Sequence, residues 1–125
     1  GDFEGLSFRE LMAREKEFLK RWVADPASVR MPHGETLMEL QERAWRAVSA
    51  ILDGGQNAAV VAHNFTIAAI LCRVQNIGLA EFRSVCVDPA SKTLIRFENG
   101  RAQIAVLNDR SHLDAPEAAP ASEEP

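Results

Sequence analysis

His63 and Asn64 stand where a short apolar run, Ala58 to Ala62, meets a helical pattern that opens at Phe65. Near neutral pH an imidazole can carry a proton or donate a hydrogen bond, so its placement decides what it can do. In an open α/β sheet, ligands bind beyond the C-terminal ends of the strands. There the following helix offers unpaired N–H groups and the positive end of its dipole. The amides of Asn64, Phe65 and Thr66 would form that first turn, and the Asn64 and Thr66 side chains would add donors. The chemistry suited to this arrangement is the holding of an anion such as phosphate beside a histidine. A polar pair between strand and helix also serves as a plain helix cap, and spacing leaves both readings open.

The elements that must position these residues can be read from period and caps. Ser7 followed by Glu10 is a capping box, and Phe8, Leu11, Met12, Phe18, Leu19 and Trp22 recur at helical spacing until Asp25-Pro26. One helix is predicted there. Thr36 and Glu39 form a second capping box, opening a helix whose stripe is Leu37, Leu40, Ala44, Ala47, Val48 and Ile51, ended by Gly54-Gly55. Ala58 to Ala62 suits a strand buried on both faces, which implies parallel pairing. A helix over Phe65 to Val74 should stop near Asn76 and Gly78. After a connector at Leu79 to Ser84 and the brief apolar Val85-Cys86-Val87, two runs, Lys92 to Phe97 and Arg101 to Leu107, flank Asn99-Gly100 as a hairpin. Asn108 and Asp109 read as a turn after that strand, and His112 as a structural hydrogen-bonding residue. Trp22 and Trp45 fall on helices and read as packing residues. The result is an α/β arrangement with too few strands to close its own sheet.

Composition bounds the rest. The 125 residues are 46% hydrophobic and 26% charged, as expected of one globular domain. A net charge of −4, with basic and acidic residues interspersed from Phe8 to Arg46, argues against a nucleic-acid partner. No run approaches the roughly 18 apolar residues of a membrane span, so no membrane partner is expected. Cys72 and Cys86 form no C-x-x-C pair and read as buried free thiols in a reducing compartment, the cytoplasm. No pair of histidines has metal-ligand spacing, and neither a G-x-S-x-G elbow nor a P-loop occurs. No metal and no cofactor are expected. The chain opens on Gly1 amid residues that read as the middle of a domain, so an upstream part is expected. The tail from Asp114 is Ala, Pro and Glu, with almost nothing to bury, and is expected to be disordered.

Four separated motifs then bear on one another. Gly1-Asp2-Phe3-Glu4-Gly5 is similar to G-x-[WF]-E-G. Pro32-His33-Gly34-Glu35-Thr36 is similar to P-x-G-E-[ST] before a helix carrying an arginine, here Arg43. Val60-Val61-Ala62-His63 is similar to a strand ending on a catalytic histidine, and Leu107-Asn108-Asp109-Arg110-Ser111-His112-Leu113 to L-N-D-x-[ST]-H-L. In this order they resemble the histidine phosphatase superfamily, whose members are phosphoglycerate-mutase-like. The resemblance implies a three-layer sandwich with a mostly parallel sheet flanked by helices, incomplete in this chain. Residues 1–113 would be the C-terminal portion of a single domain and 114–125 a disordered tail.

By the same resemblance, a phosphoryl group passes to a histidine in an N-terminal R-H-G motif and then to water or an acceptor. His63 would be the second, catalytic histidine, stabilising the equatorial oxygens of the transferring group. Asn64 and Thr66 would bind phosphate. Glu35 would line the substrate mouth, although a carboxylate just before a helix favours the dipole without any such duty. His33-Gly34-Glu35-Thr36 mimics the sequence after the first motif's arginine, but Pro32 precedes it and no strand leads into it, so His33 is not read as the nucleophile. The sequence departs from the family at Asn64, where many members have Gly, and at Ala68, where many have Arg or Lys. The latter weakens any claim to a bisphosphate substrate. The implied activity is a phosphomonoesterase working through phosphohistidine on a small phosphorylated metabolite. A cofactor-dependent phosphoglycerate mutase and a non-catalytic phosphoester-binding or interaction domain are the alternatives. A homodimer, or pairing with the N-terminal half, would cover the open sheet edge.

Overall fold

Reciprocal caps fix where the first helices begin. Glu10 N–H donates to Ser7 Oγ at 3.3 Å while Ser7 N–H donates to Glu10 Oε2 at 2.8 Å. Thr36 and Glu39 repeat the exchange at 3.2 and 2.9 Å, satisfying donors that a bare helix end leaves unpaired. The computed structural model describes residues 1–85 and 87–114. The expectations for Cys86 and for the tail beyond Asp114 lie outside the described residues. By its internal packing the chain divides into two units, Gly1–Val87 and Asp88–Pro125.

In the first unit the single helix predicted before Asp25 is two, α1 (Phe8–Arg14) and α2 (Lys16–Ala24), broken at Glu15 with φ −122° and ψ 33°. The break falls in the consecutive charged residues Arg14-Glu15-Lys16-Glu17, which supply no apolar contact to hold a helical turn against the core. α1 buries nothing, whereas α2 buries Phe18 and Trp22, one turn apart. Arg83 closes the far end of α2, donating to the Val23 and Trp22 carbonyls at 2.7 and 3.1 Å. α3 (Leu37–Asp53) and α4 (Asn64–Gln75) follow. α4 stops at Asn76, whose left-handed φ of 57° is one that asparagine tolerates better than most residues. The connector Leu79–Ser84 is a 3-10 helix.

The core of this unit is Phe18, Trp22, Leu37, Ala44, the run Ala68 to Cys72, Phe82, Val85 and Val87. Phe82 sits at its centre, edge-on to Phe65 at 5.3 Å and 6.2 Å from Trp22. α3 and α4 pack together, and their contacts give their relative direction. Gln41 Nε2 donates to the Ala69 carbonyl at 2.8 Å, Arg73 pairs with Glu42 at 2.8 Å, and the Arg73 guanidinium lies 4.9 Å from the Trp45 ring centroid. Advancing along α3 therefore advances along α4, so the two helices run in the same sense and both N-termini lie at one end.

That parallel sense constrains the link between them. α3 has 17 residues, a climb of ~25 Å at about 1.5 Å per residue. The chain from Gly54 to His63 must descend by a comparable length, which an extended segment of that size can span at about 3.3 Å per residue. Ala58 to Ala62 is this return segment. It is not the doubly buried strand expected, because no described residue pairs with it. Val60 is 51% exposed and Val61 96%. Nor is a mostly parallel sheet present among the described residues, where the one sheet has two antiparallel strands.

Those strands, β1 (Lys92–Glu98) and β2 (Arg101–Asp109), form the second unit with a short 3-10 turn at Ser111–Leu113. Asn99 and Gly100 both have positive φ, 52° and 72°, the requirement of the turn whose twist matches a tight hairpin. β2 runs two residues past Leu107, correcting the turn read at Asn108-Asp109. Asn108 is pinned there, accepting from Asp88 N–H at 2.8 Å and donating to Asp88 Oδ2 at 2.9 Å, beside a shift in strand register near Leu94. Among the described residues, no helix is long and apolar enough to cross a membrane.

Phe82 is 2% exposed and Phe8 71%. In urea denaturation, Phe82→Ala should therefore cost about 3–5 kcal/mol and Phe8→Ala about 0.5 kcal/mol or less. Similar losses for the two would contradict the core described.

Candidate functional site

Two motif segments meet because glycine lets their backbones touch. Asp2 N–H donates to the Pro32 carbonyl at 2.9 Å. A Cβ on Gly1 would stand 2.1 Å from that oxygen and 2.9 Å from Gly34 N, while one on Gly34 would stand 2.9 Å from Met31 Cβ. No side chain fits between such surfaces. Phe3 then packs edge-on against Phe18 at 4.9 Å, anchoring the first segment to α2.

On this base a loop of ion pairs leads into α3. Arg30 reaches Glu39 with both guanidinium nitrogens, at 2.8 and 2.6 Å, and donates to the Gly34 carbonyl at 2.9 Å. Arg43 holds Glu35 in the same two-pronged way, at 3.1 and 2.7 Å. That hydrogen bond holds the Glu35 carboxyl below its ordinary range, against a smaller opposing cost of burial. Glu39 is likewise held low, by Arg30 and by the Thr36 amide. His33 is strongly exposed in a turn with φ 47°, its Nδ1 2.7 Å from Asp2 Oδ2. The sequence pattern had set His33 aside as a nucleophile, and its place in a turn rather than at a strand end agrees with that. The Asp2–His33 pair itself was not read from the sequence. The available signal was a polar residue at the variable position of each of two neighbouring motifs.

At the head of α4, His63 occupies the cap position with extended backbone, φ −95° and ψ 162°, its side chain exposed and forming no capping bond. Its carbonyl accepts from Ile67 N–H at 3.0 Å. The first turn behind it carries no acidic residue, so nothing there opposes an anion at the positive helix end. Asn64 also has a structural contact. Its Nδ2 donates to the Val87 carbonyl at 2.7 Å, fastening the start of α4 to the chain that ends the unit. Thr66 is half-buried in the same turn.

Since α3 and α4 run in the same sense, Glu35 with Thr36 and His63 with Asn64 lie at one end of the first unit. His112 lies in the second unit, exposed in its 3-10 turn, so burial imposes no hydrogen-bonding duty on it. Cys72 is a buried free thiol, pushed up by burial and then by the charge of Glu81. Among the described residues, no group of three or more His, Cys, Asp or Glu side chains is arranged to hold a metal ion.

Because Glu35 titrates below its ordinary value of 4.5, its pairing stabilises the fold fully above that value and is lost as pH falls through the lower, folded one. Glu35→Gln should lower the melting temperature by roughly 1–4 °C at pH 7, with the gap narrowing as pH falls below the ordinary carboxylate value. A gap that persists unchanged in acid would contradict the pair.

A family model described as histidine phosphatase superfamily (branch 1) matches residues 1–110. Two proteins of Hydrogenobacter thermophilus are similar over 90% of this chain. Phosphoserine phosphatase 1 is 30% identical and putative phosphoserine phosphatase 2 is 27% identical, with 54% and 56% of their own lengths covered. The chain thus spans about half the length of these curated relatives. Among solved structures, Bacillus stearothermophilus YhfR superposes with a TM-score of 0.82 at 25% identity, over 90% of this chain and 57% of that one. With the motif segments joined as described and the match running through nearly all of the described residues, the chain belongs to branch 1 of the histidine phosphatase superfamily.

Proposed function

We propose that the whole protein hydrolyses small phosphomonoesters through a phosphohistidine intermediate, the nucleophilic imidazole lying in a preceding segment. The observation that carries this reading is His63, exposed at the cap of α4 over a first turn without acidic residues. An anionic phosphoryl group seated there receives the backbone N–H groups and the dipole of α4. The His63 imidazole donates to its equatorial oxygens as charge develops. As the leaving P–O bond breaks, its electron pair departs with the leaving oxygen and phosphorus passes to the upstream imidazole; water then takes the phosphoryl group from that imidazole. Glu35, ionised and held by Arg43, borders the leaving group from the head of α3, and Thr66 supports the phosphate turn. The relatives named as phosphoserine phosphatases support hydrolysis over transfer to a second acceptor.

In the complete domain, Ala58 to Ala62 becomes an inner strand of a mostly parallel sheet in a three-layer sandwich. The run is apolar and its side chains are uncovered, which supports neighbours on both sides. Those neighbours come from the preceding segment, and a second copy is the other means of covering the edge. The buried thiol of Cys72 supports a reducing, cytoplasmic location.

The test is turnover of p-nitrophenyl phosphate by the full-length protein. His63→Ala should lower kcat/KM by about 100-fold or more, as loss of a transition-state donor typically does. A loss below about tenfold, with the fold retained by circular dichroism, overturns the role given to His63.

A further inference from the structure

The charged groups of the segments Gly1 to Gly5 and Arg30 to Arg43 are largely spent on one another. Arg30 is committed to Glu39, Arg43 to Glu35, and Glu42 to Arg73. Asp2 faces His33, and Glu4 adds a further exposed carboxylate. Both arginines of these segments therefore already hold a carboxylate, and neither is left over for an anionic group on a ligand.

What the rim does present is the Asp2–His33 pair. His33 keeps a φ of 47°, a conformation that glycine takes freely and that strains a residue with a side chain. Here it mounts an imidazole whose side chain is 87% exposed and whose Nδ1 is fixed by Asp2 at 2.7 Å. That bond uses one ring nitrogen and one carboxylate oxygen. With Nδ1–H donating to the carboxylate, Nε2 of the neutral ring and the second Asp2 oxygen both remain as acceptors. Two acceptors match hydroxyl groups, which can donate to them, better than they match an anion.

We propose that the Asp2–His33 pair is a specificity element that selects phosphomonoesters with an uncharged, hydroxylated leaving group, while the self-paired rim disfavours leaving groups carrying a carboxylate or a second phosphate. The proposal rests on the hydrolytic reading above. It predicts that the full-length protein turns over glycerol 1-phosphate with a kcat/KM at least about tenfold above that for 3-phosphoglycerate, a carboxylate analogue of the same length. Unpaired or like charges are strongly rejected by a site built for neutral groups. His33→Gln should lower the glycerol 1-phosphate to p-nitrophenyl phosphate selectivity ratio about three- to tenfold, through KM rather than kcat, the scale of one lost hydrogen bond. Glu39→Gln, which frees the Arg30 guanidinium, should narrow the preference over 3-phosphoglycerate. Equal turnover of the two alkyl esters, or a selectivity ratio unmoved by His33→Gln, overturns the proposal. Because p-nitrophenyl phosphate has no leaving-group hydroxyls, its turnover reports on the His63 reading separately.

Discussion

Gln41 reaches from α3 to a backbone carbonyl inside α4, and one turn further along Arg73 reaches back to Glu42 and lies over Trp45. These contacts lock the two helices in the same direction at one register. The arrangement at the site end follows from that lock. Helices packed in the opposite sense would put His63 at the far end from Glu35, and no adjustment of loops could bring them back. The parallel sense also obliges the intervening chain to return in an extended form, which is why a short apolar run ends on the histidine. The histidine's position is thus a product of helix packing at one remove, through the length of α3 and the chain that retraces it.

The parts of this architecture set by neighbours in sequence were legible from the residues. Both capping boxes, the stop at Asn76 and the Asn99-Gly100 turn are decided within four residues, where side-chain chemistry and dihedral preference suffice. The break at Glu15 was not, because apolar residues recur at helical spacing on both sides and only the charged run between them betrays it. The Ala58 to Ala62 run was legible as an extended segment, but its exposure depends on residues distant in sequence. The site divided in the same way. His63 could be found from its place between two elements, whereas the Asp2–His33 pair joins residues 31 apart that look ordinary one at a time. Asn64 adds a contact that its place in the sequence does not show: its side-chain amide is fastened to Val87.

The rim at the head of α3 is organised by exposed ion pairs, and exposed pairs add little to stability. Their value lies in geometry. Arg30 and Arg43 each grip a carboxylate with two parallel bonds, which fixes orientation as well as distance. The loop between them also carries two contacts too close for any residue but glycine. Backbone approach and paired charge together give this surface segment a defined shape although it buries little.

The run from Ala58 to Ala62 bears on how the chain reaches its native state. Its flanks, Gln56-Asn57 and His63-Asn64, are polar but lack the lysines and acids that keep growing β-edges of separate molecules apart. In the sheet proposed above its neighbours come from a preceding segment, so pairing awaits the closure of long loops, a slow step, while α3 and α4 can form at once. During that interval a bare apolar edge competes between its intended neighbours and the same edge on another molecule, and only the second route speeds up with concentration. Yield on refolding should therefore be governed by dilution more than by the intrinsic stability of the helices.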